Sequence, residues 1–129
     1  MQAAPIRLEA ADAFVIVTPE YNLSFPAPLK NALDRYGSPW RGRPVGFISY
    51  GGLSGGLRAV EQLRLVLAEL HGATLRETVS FHNHWERFDD AGRPRDEKAT
   101  EAAAARFLDQ LAWWGEGLRR ARAAAPYPA

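Results

Sequence analysis

Two short segments of the chain have the residue types of a binding site built from backbone groups. In the first segment, residues 19–24, the first four residues can form a tight turn whose amide groups point outward at the polar edge of a ligand. Residues 51–56 contain four glycines, which carry no side chain and let the backbone approach a planar ligand closely. Cysteine is absent, which excludes disulfides, thiolate nucleophiles and cysteine-based zinc or iron–sulfur sites. These segments predict ligand binding and orientation, and no side chain is assigned as catalytic.

Each segment follows a run of residues that is typical of a strand buried on both faces. Residues 13–18 form a β-branched and aromatic run ended by Pro19, and residues 45–50 form a second apolar run. An amphipathic helix is predicted after each run, with Ser24 as the cap of the first helix and Gly72 at the end of the second. The two apolar faces consist of Leu29, Ala32, Leu33 and Tyr36 and of Leu57, Val60, Leu63, Leu67 and Leu70.

The rest of the chain predicts a third strand and a last helix. Residues 74–81 alternate in the manner of an edge strand, residues 82–95 form a polar loop, and residues 96–122 predict a long helix. The apolar stripe of that helix is Phe107, Leu111, Trp114 and Leu118. Alternating strands and helices predict a parallel sheet, whose ligands bind beyond the carboxyl ends of the strands. We expect one domain over residues 1–122 and a frayed tail over residues 123–129.

Composition excludes several classes of protein. With 129 residues and a net charge of +1, the chain fits one domain and shows no basic stripe for nucleic acid. No apolar run approaches the roughly 18 residues that span a bilayer, so no membrane partner is expected. The start of the chain lacks the basic and apolar stretches of a secretory signal, which favours a cytoplasmic protein.

Residues 18–34 closely resemble the signature of the NAD(P)H-dependent FMN reductases. A strand is followed by Pro-Glu-Tyr-Asn, then by a serine, an aromatic residue and a proline, and then by a helix that opens with Leu-Lys-Asn-Ala. Residues 49–58 look like the glycine-rich flavin loop of the same family. The resemblance covers residues 11–122 and implies an α/β fold, a truncated flavodoxin-like three-layer αβα arrangement whose parallel strands are equivalent to the family's third, fourth and fifth.

The resemblance also implies an activity and a set of binding residues. NADPH or NADH would reduce bound FMN, which would pass electrons to a small-molecule acceptor such as a quinone or free flavin. The identity of the acceptor and the choice between NADH and NADPH stay open. The implied FMN-binding residues are Pro19, Glu20, Tyr21, Asn22, Ser24, Ser49, Tyr50, Gly51, Gly52 and Gly55.

Family members begin with a strand and a loop that binds the FMN phosphate, and this chain starts after that point. We therefore expect weaker FMN binding and an exposed edge on the first strand, which favours a homo-oligomer unless the gene is truncated or the true start lies upstream. The alternative is a flavin-free remnant that serves as an interaction or oligomerisation domain. An electron-carrier flavodoxin is less favoured, because flavodoxins are typically strongly acidic and this chain is nearly neutral.

Other candidate residues have simpler interpretations. His82 and His84 lack a third protein ligand, so a metal site is disfavoured against surface histidines. Glu20 is expected to stabilise the turn or to bind the ribityl chain. Trp113 and Trp114 are expected to pack in the core. Whether Trp40 and Trp85 line a substrate pocket or a dimer interface stays open.

Overall fold

The structure is a computed structural model that describes residues 3–128. Its elements are α1 (Ile6–Ala10), β1 (Phe14–Pro19), α2 (Ala27–Arg35), β2 (Pro44–Tyr50), α3 (Leu57–Glu69), β3 (Ala73–Phe81) and α4 (Glu97–Ala124), with a 3-10 turn at His84–Glu86. The order of strands and helices predicted from the sequence is confirmed. The predicted domain begins at residue 1 and the predicted tail ends at residue 129, and residues 1, 2 and 129 lie outside the described residues. The limits of the domain and of the tail therefore stay a prediction.

The three strands form one parallel sheet in the order β1-β2-β3. Pro19 pairs with Tyr50, and Tyr50 pairs with Phe81, so the carboxyl ends of the strands lie side by side. The segments that follow β1 and β2 therefore leave the sheet at the same edge. This is the placement that the sequence predicts for its two binding segments.

Helices cover both faces of the sheet, which confirms the three-layer αβα arrangement. On one face, α2 and α3 pack on β1 and β2 around Phe47, which is fully buried. On the other face, α4 packs on β3 through Phe107 and Leu111. Burying one such side chain contributes about 1.5–3 kcal/mol to folding. Trp40 is buried in the first core, where its indole N–H donates to the Tyr36 carbonyl oxygen, so its ring packs within the domain.

The prediction that both tryptophans of α4 pack in the core is wrong. Trp113 is 71% exposed and Trp114 is 40% exposed, whereas Gly115 is buried. A Cβ atom on Gly115 would lie 3.6 Å from the Ala13 Cβ, an ordinary contact distance, so this part of the helix faces the start of β1. The buried face therefore continues from Leu111 to Gly115, and the tryptophans are turned away from it.

The end of α4 and the residues after it contact residues that precede the three strands. Arg122 donates to the Gly42 carbonyl oxygen over 2.7 Å and pairs with Asp12 over 2.8 Å. Tyr127, in the segment expected to fray, has a ring contact with His71 at 5.7 Å between centroids. His71, with φ 63°, takes the left-handed conformation that ends α3 beside Gly72. Within residues 3–128, no helix has the length and hydropathy to cross a bilayer.

Candidate functional site

The segment after β1 folds into a reverse turn with an unusual backbone. Asn22 and Leu23 both have positive φ, 50° and 69°, and Tyr21 and Ser24 exchange backbone hydrogen bonds of 2.8 and 3.0 Å around them. Positive φ at both central positions is the mark of a type I′ turn, which favours Asn-Gly. Asn22 suits its position. Leu23 is strained, because a bulky side chain in the left-handed region costs about 1–2 kcal/mol.

A side chain of α3 holds this turn. The Ser24 hydroxyl donates to Gln62 Oε1 over 2.6 Å, and Gln62 Nε2 donates to the Leu23 carbonyl oxygen over 2.6 Å. The prediction that Ser24 caps the following helix is wrong, because the N-cap of α2 is Pro26 and makes no side-chain bond. No local sequence pattern indicates this role of Gln62, because its partners lie 38 and 39 residues away along the chain.

The glycine-rich segment after β2 is shaped by contacts inside the protein. The hydroxyls of Ser49 and Ser80 donate to the Gly55 carbonyl oxygen over 2.8 and 2.9 Å. Gly55 and Gly56 have φ of 61° and 86°, and a Cβ atom on Gly56 would lie 2.7 Å from the Ser49 Cβ. At these two positions the space that a side chain would need is filled by protein. Gly55 and Gly56 are therefore required by the fold itself. Gly51 is also crowded, since a Cβ atom there would lie 3.0 Å from the Gly56 backbone nitrogen, whereas a Cβ atom on Gly52 would make only ordinary contact.

Glu20 links the two segments. Its carboxylate accepts a hydrogen bond from the Ser54 hydroxyl and one from the Arg58 amide at 3.2 Å, and it pairs with Arg58 Nε over 2.8 Å. The Glu20 side chain is only 9% exposed. A carboxylate at the first turn of α3 also complements the positive end of the helix. Of the two roles expected for Glu20, these contacts favour turn stabilisation.

Aromatic residues after β3 cover one side of the glycine-rich segment. The His84 ring lies 5.5 Å from the Tyr50 ring and 5.3 Å from the Trp85 ring, and a Cβ atom on Gly52 would lie 3.5 Å from the Trp85 ring. His84 Nδ1 is 3.3 Å from the Gly51 carbonyl oxygen, and His82 makes the corresponding contact with the Leu53 carbonyl oxygen at 3.0 Å. The histidines thus contact backbone, and Trp85 lies beside the predicted binding segment with its indole largely exposed.

The two segments together offer backbone donors at one edge of the sheet. Six amides in them make no hydrogen bond to any atom of residues 3–128, namely those of Asn22, Leu23, Gly52, Leu53, Ser54 and Gly56, of which Gly56 is buried. Exposed apolar groups stand beside them, including Tyr21, Leu23 and Leu53. Free donors next to apolar surface fit a flat ligand with an acceptor-rich edge, such as the isoalloxazine ring of FMN.

All ten residues predicted to bind FMN lie in or next to these two segments. Pro19 and Tyr50 are the last residues of their strands, and a hydrogen bond of 3.2 Å from the Glu20 amide to the Tyr50 carbonyl oxygen joins the segments at their origin. Ser49 is fully buried and its hydroxyl is already bonded within the protein. Whether each residue contacts FMN stays a prediction.

Comparisons with known proteins agree with this geometry. A family model described as NADPH-dependent FMN reductase matches residues 1–86. The chain is 52% identical over 50 residues to an NAD(P)H-dependent FMN reductase of Schizosaccharomyces pombe, which covers 39% of the chain and 25% of that protein. It is 36% identical over 110 residues to a 2-hydroxy-1,4-benzoquinone reductase of a Burkholderia species, which covers 81% of the chain and 60% of that protein.

A solved structure supports the same fold. FerB, a flavoenzyme NAD(P)H:(acceptor) oxidoreductase from Paracoccus denitrificans, superimposes with a TM-score of 0.66 at 27% identity over 85% of this chain and 64% of that one. The chain thus spans between 25% and 64% of the length of these three proteins.

Proposed function

Because the chain belongs to the NADPH-dependent FMN reductase family, we propose that it is part of a flavin-dependent oxidoreductase that uses NADPH or NADH. The observation that carries this proposal is the pair of turns at neighbouring strand ends, which together leave the amides of Asn22, Leu23 and residues 52–54 free at one edge of the sheet. When bound, FMN would accept electrons from the reduced nicotinamide nucleotide and pass them to an acceptor. The contribution of this chain is to bind and orient.

The residues of the two turns would have two roles, which are to bind the ring and to hold the turns in place. The free amides of Asn22 and Leu23, and those of Gly52 and Leu53, would donate to the polar edge of the ring. Glu20 would act indirectly, through the contacts that hold the turns together. The proposal requires no side chain of these turns to transfer a proton.

We propose a quinone as the acceptor. The name of the Burkholderia relative, a 2-hydroxy-1,4-benzoquinone reductase, supports this choice. So does the exposed indole of Trp85 beside the glycine-rich segment, since a flat acceptor can stack on an aromatic face.

Flavin binding by the purified chain tests the proposal directly. Titration with FMN is expected to quench the flavin fluorescence, and NADPH is expected to bleach the yellow complex in the absence of oxygen. Riboflavin, which has the same ring and no phosphate, is the control that isolates binding by the ring. A colourless protein that leaves the fluorescence of both flavins unchanged would contradict the proposal and favour the flavin-free interaction domain.

We further propose that the chain forms homodimers in the cytoplasm. The exposed side chains of Val15 and Val17 on β1 support self-association, because β1 is an edge strand of the sheet with apolar surface next to its free edge. The cytoplasm is supported by the expected reductant, since reduced nicotinamide nucleotides are kept inside cells. Light scattering of the wild type and of Val17→Lys tests the dimer: a wild-type mass of one chain would refute it.

A further inference from the structure

The turn at residues 21–24 has a left-handed leucine where its geometry favours glycine. Leu23 has φ 69° and is 52% exposed, so burial of its side chain does not offset the strain. Strained residues of this kind persist only where the surrounding structure holds them, and they concentrate at ligand-binding sites. The question is therefore what holds Leu23 in this conformation.

Gln62 is the side chain in the right place to do so. Its two ends bond the two sides of the turn, Nε2 to the Leu23 carbonyl oxygen and Oε1 to the Ser24 hydroxyl, each over 2.6 Å. Gln62 extends from α3, whose buried residue Leu63 anchors the helix in the core. Gln62 thus connects the strained turn, through two hydrogen bonds, to a helix that is packed in the core.

We infer that Gln62 is a positioning residue that keeps the turn in its left-handed conformation, so that the amides of Asn22 and Leu23 are held in place for the flavin. The inference rests on the proposed function. It assigns to Gln62 a role in cofactor affinity that is exerted through the turn. It also explains why a residue as ill-suited as leucine is compatible with a well-formed turn.

A double-mutant cycle tests the inference. Gln62→Ala removes both hydrogen bonds, and Leu23→Gly creates the Asn-Gly pair that a type I′ turn favours on its own. Gln110→Ala is the matched control, because Gln110 also extends from a helix and accepts a backbone hydrogen bond, from Glu77 over 3.1 Å. Each variant is measured for its FMN dissociation constant, and, without flavin, for the exchange rates of the Tyr21 and Ser24 amide hydrogens.

Gln62→Ala is expected to raise the dissociation constant by about tenfold and to speed exchange of the two amides by a similar factor, because two hydrogen bonds are lost. Adding Leu23→Gly should bring both quantities back to within about threefold of the wild type. Gln110→Ala should change neither. A destabilised helix would not be rescued by glycine at position 23, so the rescue separates positioning from general stability.

Two results would overturn the inference. One is equal FMN affinity in the wild type and Gln62→Ala, and the other is a loss of affinity that Leu23→Gly does not recover. Failure of the wild type to bind FMN would be a different result, which removes the proposed function and this inference with it. In that case the exchange rates alone would report whether Gln62 holds the turn.

Discussion

Glu20→Gln is the most direct test of the link between the two binding segments. The substitution keeps the shape of the side chain and removes the charge that Ser54 and Arg58 contact. Because the Glu20 side chain is only 9% exposed, water cannot fully replace the contacts that the substitution weakens. The expected consequence is a loosened connection between the turn after β1 and the start of α3.

The magnitude follows from the two kinds of contact. A hydrogen bond to a charged group contributes about 1.5–3 kcal/mol, against about 0.5–1.5 kcal/mol for a neutral one, so the Ser54 bond weakens by about 1 kcal/mol. The Arg58 side chain is 49% exposed, and loss of its charge pairing costs at most about 1 kcal/mol more. We expect unfolding free energy to fall by about 1–2 kcal/mol and FMN affinity to fall by about five- to thirtyfold.

Urea unfolding followed by circular dichroism measures the stability, and quenching of flavin fluorescence measures the affinity. The control is Glu61→Gln on the same helix, because Glu61 is 75% exposed and pairs with Arg64 at the surface. That variant should stay within about 0.5 kcal/mol of the wild type. If Glu20→Gln matches Glu61→Gln in both measurements, the carboxylate does not couple the segments and the reasoning is wrong.

Two further predictions concern the backbone of the glycine-rich segment and one surface carboxylate. Gly56→Ala should lower the free energy of unfolding, measured in urea, by about 2–4 kcal/mol, because the new side chain collides with Ser49 and strains the backbone. Gly92 has φ 76° and no atom within 4 Å of its Cβ position, so Gly92→Ala should cost only the conformational strain of about 1 kcal/mol, and equal losses in the two variants would refute the packing argument. Hydrogen bonds from Arg119 and Arg120 lower the pKa of Glu116 to about 2, so any stability that this carboxylate contributes should be present above its ordinary pKa near 4.5 and be lost as the pH falls toward 2. A carboxyl carbon titration by NMR with a midpoint near 4.5 would contradict this.

The sequence predicted the strands and the edge of the sheet where they end because those features depend on local residue types. Residues 13–18 and 45–50 are apolar and β-branched runs that favour strands wherever they occur. Once the strands are parallel, the segments that follow them must leave the same edge. The shared location of residues 19–24 and 51–56 was therefore a consequence of topology, and it needed no knowledge of side-chain contacts.

Contacts between distant residues could not be predicted in the same way. Gln62 lies on the exposed side of an amphipathic helix, where most residues are interchangeable, and only the folded chain brings it to Leu23. Trp113 and Trp114 were misplaced for a related reason. The spacing of apolar residues predicts which face of a helix is buried, but the buried face of α4 continues from Leu111 to Gly115, and a glycine contributes no apolar side chain to that pattern.

The glycines after β2 show why a motif can identify a family and still leave its mechanism open. Four glycines fit a loop that approaches a planar ligand, and they equally fit a loop that must bend tightly against its own sheet. The structure separates the two roles: a side chain on Gly55 or Gly56 would collide with protein, whereas a Cβ atom on Gly52 would make only ordinary contact with Trp85 at 3.5 Å. Part of the motif thus encodes folding. Of the four glycines, only Gly52 has a Cβ position that protein does not crowd, and its amide and that of Leu53 are free, so Gly52 retains the role in ligand approach that the sequence predicted for all four.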